Sequence, residues 1–149
     1  MNTPRWSELA SAFSDEAFLP DGLVEHTDSS DWQATLNLAV CRGWHVRSPD
    51  GRRPENLSAD HLLADEHSHT IAIWPSSAVQ INLFLNGASE IGFDFSTREV
   101  IDQSSLDVLC GFLRSLGGVV RKPVKIYFEG SSVEILRYDP GPDHFLIQR

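Results

Sequence analysis

The feature that most constrains the fold is a pair of alternating segments around Asn86-Gly87. Apolar residues occupy every second position on both sides of this dipeptide: Val79, Ile81, Leu83 and Leu85 before it, and Ile91, Phe93 and Phe95 after it. This period is typical of strands with one buried face, and Asn-Gly tolerates the positive φ angles of tight hairpin turns. The sequence therefore predicts an antiparallel hairpin with Glu90 and Asp94 on its polar face.

Similar patterns predict the other elements. Helices are predicted by apolar residues at helical spacing, starting at Thr3 with Pro4 in the first turn, over 30–42, after Ser58, and over 104–116, where Gly117-Gly118 would end the helix. Further strands are predicted over 44–48, 70–74, 122–129, 133–138 and, at an edge, 144–147. We expect a single α+β domain over 1–149, with one antiparallel sheet of about five or six strands and helices packed on one face.

Length and composition are those of an ordinary globular protein. The chain has 149 residues, of which 41% are hydrophobic and 22% charged. It contains no apolar run of the ~20 residues that span a bilayer, and its N-terminus lacks the apolar core of a signal peptide. We therefore expect a cytoplasmic protein that does not enter a membrane.

Charge is the clearest indication of partners. The net charge is −9, and one stretch combines six acids with no Lys or Arg: Asp15, Glu16, Asp21, Glu25, Asp28 and Asp31. Such a surface repels phosphate backbones, so we expect no nucleic-acid partner, and it suits a basic protein domain. The alternative, that the acids only keep the chain soluble, stays open.

The position of this stretch suggests where a partner would bind. Pro20 and Gly22 favour an exposed loop, so we predict contact through Glu25, Asp28 and Asp31. The alternative contact surface is the open face of the sheet near Glu90 and Asp94.

Histidines are the main candidates for chemistry. His61, His67 and His69 lie close to three carboxylates in the sequence, and both side-chain types bind zinc. Their spacing matches no zinc signature, so we expect a solvated loop, no stoichiometric metal and no cofactor. Cys41 and Cys110 fall on apolar helix faces and are predicted to be buried thiols. No catalytic residue is assigned.

Several motifs occur in a recognisable order. They are Asp31-Trp32-Gln33, the two strands of the hairpin, the helix over 106–116, Phe128-Glu129-Gly130, and the segment from Ile135 to Pro140. Over about residues 30–140 this order resembles small bacterial proteins of unknown function, some similar to immunity proteins encoded beside polymorphic toxins. The resemblance implies tight binding of one toxin domain without chemistry, and its motifs assign no functional residue.

Two classes of function follow from these observations. The first is a non-catalytic protein-binding domain, in particular an immunity-type inhibitor of a basic toxin domain. The alternative is a small metal-dependent enzyme that uses the His61, His67 and His69 loop, or a ligand-binding module with a pocket between sheet and helices. The sequence leaves the oligomeric state open.

Overall fold

The computed structural model describes residues 2–14, 18–67 and 69–148. Four α-helices occur in this part of the chain: α1 (Trp6–Ser14), α2 (Ser29–Arg42), α3 (Ala59–Ala64) and α4 (Gln103–Val120). A short 3-10 helix, Pro54–Asn56, precedes α3. Within the described ranges, none of these helices has the length and apolarity needed to cross a membrane.

In the described part of the chain, eight strands form one antiparallel sheet. They are β1 (Asp21–Glu25), β2 (His45–Arg47), β3 (Thr70–Ser76), β4 (Val79–Phe84), β5 (Glu90–Asp94), β6 (Val124–Tyr127), β7 (Glu134–Asp139) and β8 (His144–Ile147). Their order is β2-β3-β4-β5-β1-β6-β7-β8. The α+β class and the single antiparallel sheet are confirmed, but the predicted number of five or six strands is wrong.

The central strand β1 is the element that the sequence pattern missed. Residues 21–25 were interpreted as an exposed acidic loop, whereas they form a strand paired with β5 on one side and β6 on the other. Its Gly22 weakens the strand signal, but glycine is required there because a Cβ atom would lie 2.1 Å from the ring of Phe93. The packing of the Phe93 ring over Gly22 therefore stabilises β1, although glycine itself has a low strand propensity.

The predicted hairpin is present. Leu83 of β4 pairs with Phe93 of β5, and both side chains are buried, at 1% exposure each. The two strands are joined by a five-residue connection, 85–89, in which Gly87 has φ 118°. The Asn86-Gly87 signal thus located the turn correctly, within a longer loop than a two-residue hairpin turn.

Alternate strand residues form the core together with the helices. The ring of Phe93 meets Phe112 of α4 edge-on with centroids 5.3 Å apart, and Phe95 meets Phe13 of α1 at 6.0 Å. Trp32 of α2 is fully buried and donates its indole N–H to the carbonyls of Gly87 and Glu90. These contacts attach the β4–β5 connection to the helical layer.

Four local predictions about the helices are wrong. α1 begins at Trp6 and not at Thr3, and α4 continues past Gly117-Gly118 to Val120, because a helix tolerates glycine where its other contacts are strong. Cys41 is exposed, whereas Cys110 is buried as expected. α2 begins at Ser29 and not at residue 30, with Asp28 as its N-cap residue.

Candidate functional site

The side of the sheet opposite the buried aromatic residues carries mainly polar side chains, with Phe84 and Leu23 among them, over its three central strands. We call this surface the open face; its side chains alternate with the buried ones and are all at least partly exposed: Gln80, Asn82, Phe84, Glu90, Gly92, Asp94, Asp21, Leu23 and Glu25. β4, β5 and β1 contribute four carboxylates and no Lys or Arg to it. The predicted site residues Glu25, Glu90 and Asp94 therefore lie together on one surface.

A hollow of about 500 Å³ lies in the middle of this surface. Its lining includes Leu23, Phe84 and Tyr127, with Asp21 and Glu90 as the charged groups. Among the described residues that line it, none is basic. The hollow thus combines apolar and aromatic walls with negative charge.

Carboxylates oppose one another at both ends of the β1–β5 pair. Asp21 lies opposite Asp94 and Glu25 lies opposite Glu90, with Leu23 opposite Gly92 between them. Like charges directly opposite each other destabilise a sheet by roughly 0.2–1 kcal/mol. The Asp21–Asp94 pair therefore opposes folding, whereas in the other pair Lys125 compensates the charge of Glu25.

Asp94 of β5 is held in place by hydrogen-bonded polar side chains on the neighbouring strand β4. Its Oδ1 accepts a hydrogen bond from Asn82 at 2.9 Å, and Gln80 donates to the Asn82 side chain at 2.7 Å. Burial raises the pKa of the Asp94 carboxyl, and the charges of Asp21 and Glu129 raise it further, although the Asn82 hydrogen bond lowers it. The carboxylate is thus fixed in position and has an elevated proton affinity.

Glu25 has a different environment from the other carboxylates of the open face. Lys125 of β6 lies 2.7 Å from Glu25, and its hydrogen bond and charge lower the pKa of the Glu25 carboxyl. Asp21 accepts a hydrogen bond from the Gly130 backbone N–H. Within the described chain, the ion pairs do not include Asp21, Glu90 or Asp94.

The other two acids predicted to bind a partner have structural roles at the start of α2. Asp28 is its N-cap residue, and its side chain accepts the backbone N–H of Asp31 while the Asp31 side chain accepts that of Asp28. Asp31 is also 3.0 Å from Lys122. The prediction of an exposed loop without compensating bases is therefore wrong, because both lysines of the chain fold back onto this stretch. Asp15 and Glu16 lie outside the described residues.

The histidine-rich segment is spread over three different local structures. His61 lies on α3, His67 in a turn and His69 just before β3, and all three are exposed. Over 2–14, 18–67 and 69–148, no group of three or more His, Cys, Asp or Glu side chains could hold a metal ion. Elsewhere, burial raises the pKa of the Cys110 thiol to about 12, so this thiol is protonated at neutral pH.

A second hollow, of about 580 Å³, lies at the β2 edge of the sheet. It is lined by Trp44 and Trp74 and includes Arg42. The Arg47 guanidinium lies 5.5 Å from the centre of the Trp74 ring. Its charged groups are thus basic, in contrast to those of the open face.

Sequence reasoning missed Asp21, Phe84 and Tyr127 as parts of the surface around Gly92. Asp21 was assigned to a loop, and Tyr127 comes from a strand more than 100 residues away from it in the chain. The alternation of Glu90, Gly92 and Asp94 placed those three on one face of the hairpin, but the depth of the hollow depends on β1 being inserted beside β5.

The chain was compared with protein-family models, with curated proteins and with solved structures, and no match was found in any of the three. The geometry and charge of the open face are therefore the basis for a functional proposal. An exposed sheet surface with a hollow that has aromatic walls and only acidic charged groups in its described lining has the chemistry of a binding surface.

Proposed function

We propose that this chain is a non-catalytic protein-binding domain that binds a basic protein domain through the open face, as an immunity-type inhibitor binds a toxin. The hollow lined by Asp21, Glu90, Phe84 and Tyr127, with no basic group among its described lining, is the observation on which this proposal rests. Aromatic side chains supply contact area, and the carboxylates select a cationic partner.

The charge distribution favours the open face, and not the start of α2, as the surface that binds the partner. Lys122 and Lys125 compensate Asp31 and Glu25, whereas Asp21, Glu90 and Asp94 make no ion pair with a described residue. An uncompensated charge acts over a Debye length of about 8 Å at physiological salt and accelerates encounter with an oppositely charged protein. The three uncompensated carboxylates are therefore expected to control association.

The rigidity of the surface also supports a binding role. β1 is hydrogen-bonded on both sides, to β5 and β6, and the indole of Trp32 fixes the connection that leads into β5. A surface that is already ordered loses little conformational entropy when a partner binds. This favours tight binding by preformed contacts.

The test uses a basic domain encoded by a gene adjacent to that of this chain, purified and expressed as the candidate toxin. We expect this chain to restore growth of cells that express the toxin, and to associate with it faster at low than at high salt. In stopped-flow experiments the triple variant Asp21→Asn, Glu90→Gln, Asp94→Asn should associate at least tenfold more slowly than the wild type at low salt.

A matched control removes the same charge elsewhere. Glu55, Asp60 and Glu66 are exposed and lie outside the sheet, so the variant Glu55→Gln, Asp60→Asn, Glu66→Gln should change the association rate less than threefold. If neither growth nor binding responds to the chain, the proposed function is wrong. Equal slowing in both triple variants would instead remove the open face as the binding surface.

A further inference from the structure

Gly92 lies in the middle of a central strand without a backbone reason to be glycine. The glycines with positive φ are Gly43, Gly51, Gly87 and Gly130. A Cβ atom built on Gly92 would meet only the Gly22 carbonyl oxygen, at 4.0 Å. Glycine in a strand interior weakens the strand, so at this position it reduces stability and leaves space on the open face.

Gly22, the neighbouring glycine on β1, has a different reason to be glycine. A Cβ on Gly22 would lie 2.1 Å from the Phe93 ring, so that glycine is required by packing on the buried face. Gly92 faces the opposite side of the sheet, where ordinary side chains would fit. Its effect is to leave the floor of the hollow as bare backbone.

The side chains around this floor define a slot. Gly92 pairs with Phe84 on one side and with Leu23 on the other. Neighbouring strands are about 4.8 Å apart, so the two walls rise from backbones about 10 Å apart. This width accommodates one extended side chain that enters from above.

Carboxylates lie at both ends of the slot. The opposed pairs Asp21–Asp94 and Glu25–Glu90 are each two residues along the strands from Gly92, which is about 7 Å. A cation over Gly92 would lie between the two pairs and reduce the repulsion between Asp21 and Asp94, while Glu25 is already paired with Lys125. The slot therefore has a shape and a charge that fit a long cationic side chain.

We propose that the slot over Gly92 binds an arginine side chain of the protein partner, an assignment that rests on the proposed function. Arginine fits better than lysine because its planar guanidinium stacks on an aromatic ring such as Phe84 and pairs with carboxylates through two hydrogen bonds. Lysine presents a strongly hydrated point charge that gains less from the aromatic wall. A protein side chain would bring its own backbone over the flanking Leu23 and Tyr127.

The first experiment is an NMR titration of the full chain with N-acetyl-arginine N-methylamide. Saturable shifts are expected in the backbone amides of Leu23, Phe84 and Gly92, with weak affinity because the probe is small. The lysine analogue should bind at least threefold more weakly. The citrulline analogue, which has the shape of arginine without its charge, should cause no saturable shift.

The second experiment fills the slot without changing any charge. In the series Gly92→Ala, Gly92→Val, Gly92→Leu, the urea midpoint should stay at or above that of the wild type, while the arginine shifts weaken and are lost with leucine. The toxin domain should dissociate at least tenfold faster from Gly92→Leu than from the wild type.

The outcomes separate this proposal from the proposed function. Absence of localised shifts with the arginine probe, unchanged shifts in Gly92→Leu, or tighter binding of free spermidine than of the probe would each overturn the arginine assignment. Toxin binding that persists in Gly92→Leu would also overturn the arginine assignment, while leaving the proposed function intact. If the wild-type chain shows the arginine shifts but does not neutralise the toxin, the proposed function is rejected and the slot remains a guanidinium site.

Discussion

Asp21 of β1 lies directly opposite Asp94 of β5, two carboxylates in a cross-strand position that normally holds complementary side chains. Each is fixed by a separate hydrogen bond, from Gly130 to Asp21 and from Asn82 to Asp94. The pair persists because these bonds and the surrounding sheet hold it, although the two charges repel. A partner's cation would remove this repulsion, which relates the stability of the free protein to its binding.

Removing the Asp94 charge should stabilise the free protein. Its pKa is raised above the ordinary value of 3.8, chiefly by burial, so ionisation of Asp94 reduces stability as pH rises above this value. We expect Asp94→Asn to increase the free energy of unfolding at pH 7 by about 0.5 kcal/mol, and the gain to disappear below the ordinary pKa. Urea denaturation between pH 3 and pH 7 measures the difference.

Glu25 provides the control on the same strand. Lys125 lowers its pKa, so its ionised form stabilises the fold above the ordinary pKa, and that stabilisation is lost as pH falls. Glu25→Gln should therefore be less stable than the wild type at pH 7 and equal to it in acid. If Asp94→Asn and Glu25→Gln change the free energy of unfolding in the same direction at pH 7, the electrostatic account of the open face is incorrect.

Substitution by alanine at two adjacent glycines of α4 should change the free energy of unfolding in opposite directions. A Cβ on Gly117 would lie 2.7 Å from the Tyr138 ring, whereas on Gly118 it would meet nothing within 4 Å. We expect Gly117→Ala to lower the free energy of unfolding by about 1–3 kcal/mol through displacement of Tyr138. Gly118→Ala should raise it by about 0.5 kcal/mol through helix propensity. Urea denaturation of the pair tests this, and equal effects would contradict the packing of α4 on β7.

Local patterns were sufficient to predict the hairpin and much of the core. In β4 and β5, alternation identified which side chains are buried, because one face of each strand meets the helices and the other does not. The helices predicted over 30–42 and 104–116 from helical spacing of apolar residues contain Trp32 and Leu109, which are both fully buried. Periodicity works here because burial follows the geometry of a single element.

The candidate site depends on contacts that no local pattern contains. Lys122 reaches Asp31 across 91 residues, and Lys125 reaches Glu25 across 100. The role of Gly22 depends on a ring on a neighbouring strand. Sequence reasoning recognised the acids but not their partners, so it treated capping and paired acids as free surface charge.

The cap of α2 can be separated from its charge. The Asp28 carboxylate accepts hydrogen bonds from Ser30 and from the backbone N–H of Asp31, which also lower the pKa of Asp28. Asp28→Ser keeps a capping oxygen and removes the charge, whereas Asp28→Ala removes both. We expect alanine to lower the thermal midpoint clearly and serine to change it little.

The same two variants also test where the partner binds. If the partner contacts the open face, Asp28→Ser should associate at the wild-type rate in stopped-flow measurements, since the charge it removes lies at the helix cap. If Asp28→Ser associates as slowly as the open-face triple variant, the start of α2 is part of the binding surface.

Asn2 closes the outer edge of the sheet and should limit self-association. Its side-chain amide donates to the Phe145 carbonyl at 2.7 Å and accepts from the Phe145 N–H at 2.8 Å, which reproduces the two bonds of a paired strand. An unpaired edge strand is a template for pairing with another chain. We expect Asn2→Ala to lower the free energy of unfolding by about 1 kcal/mol and to make the sedimentation coefficient rise with protein concentration. Asn2→Asp keeps the acceptor and loses the donor, so it should fall between alanine and the wild type; a monomeric Asn2→Ala of wild-type stability would show that this edge needs no protection.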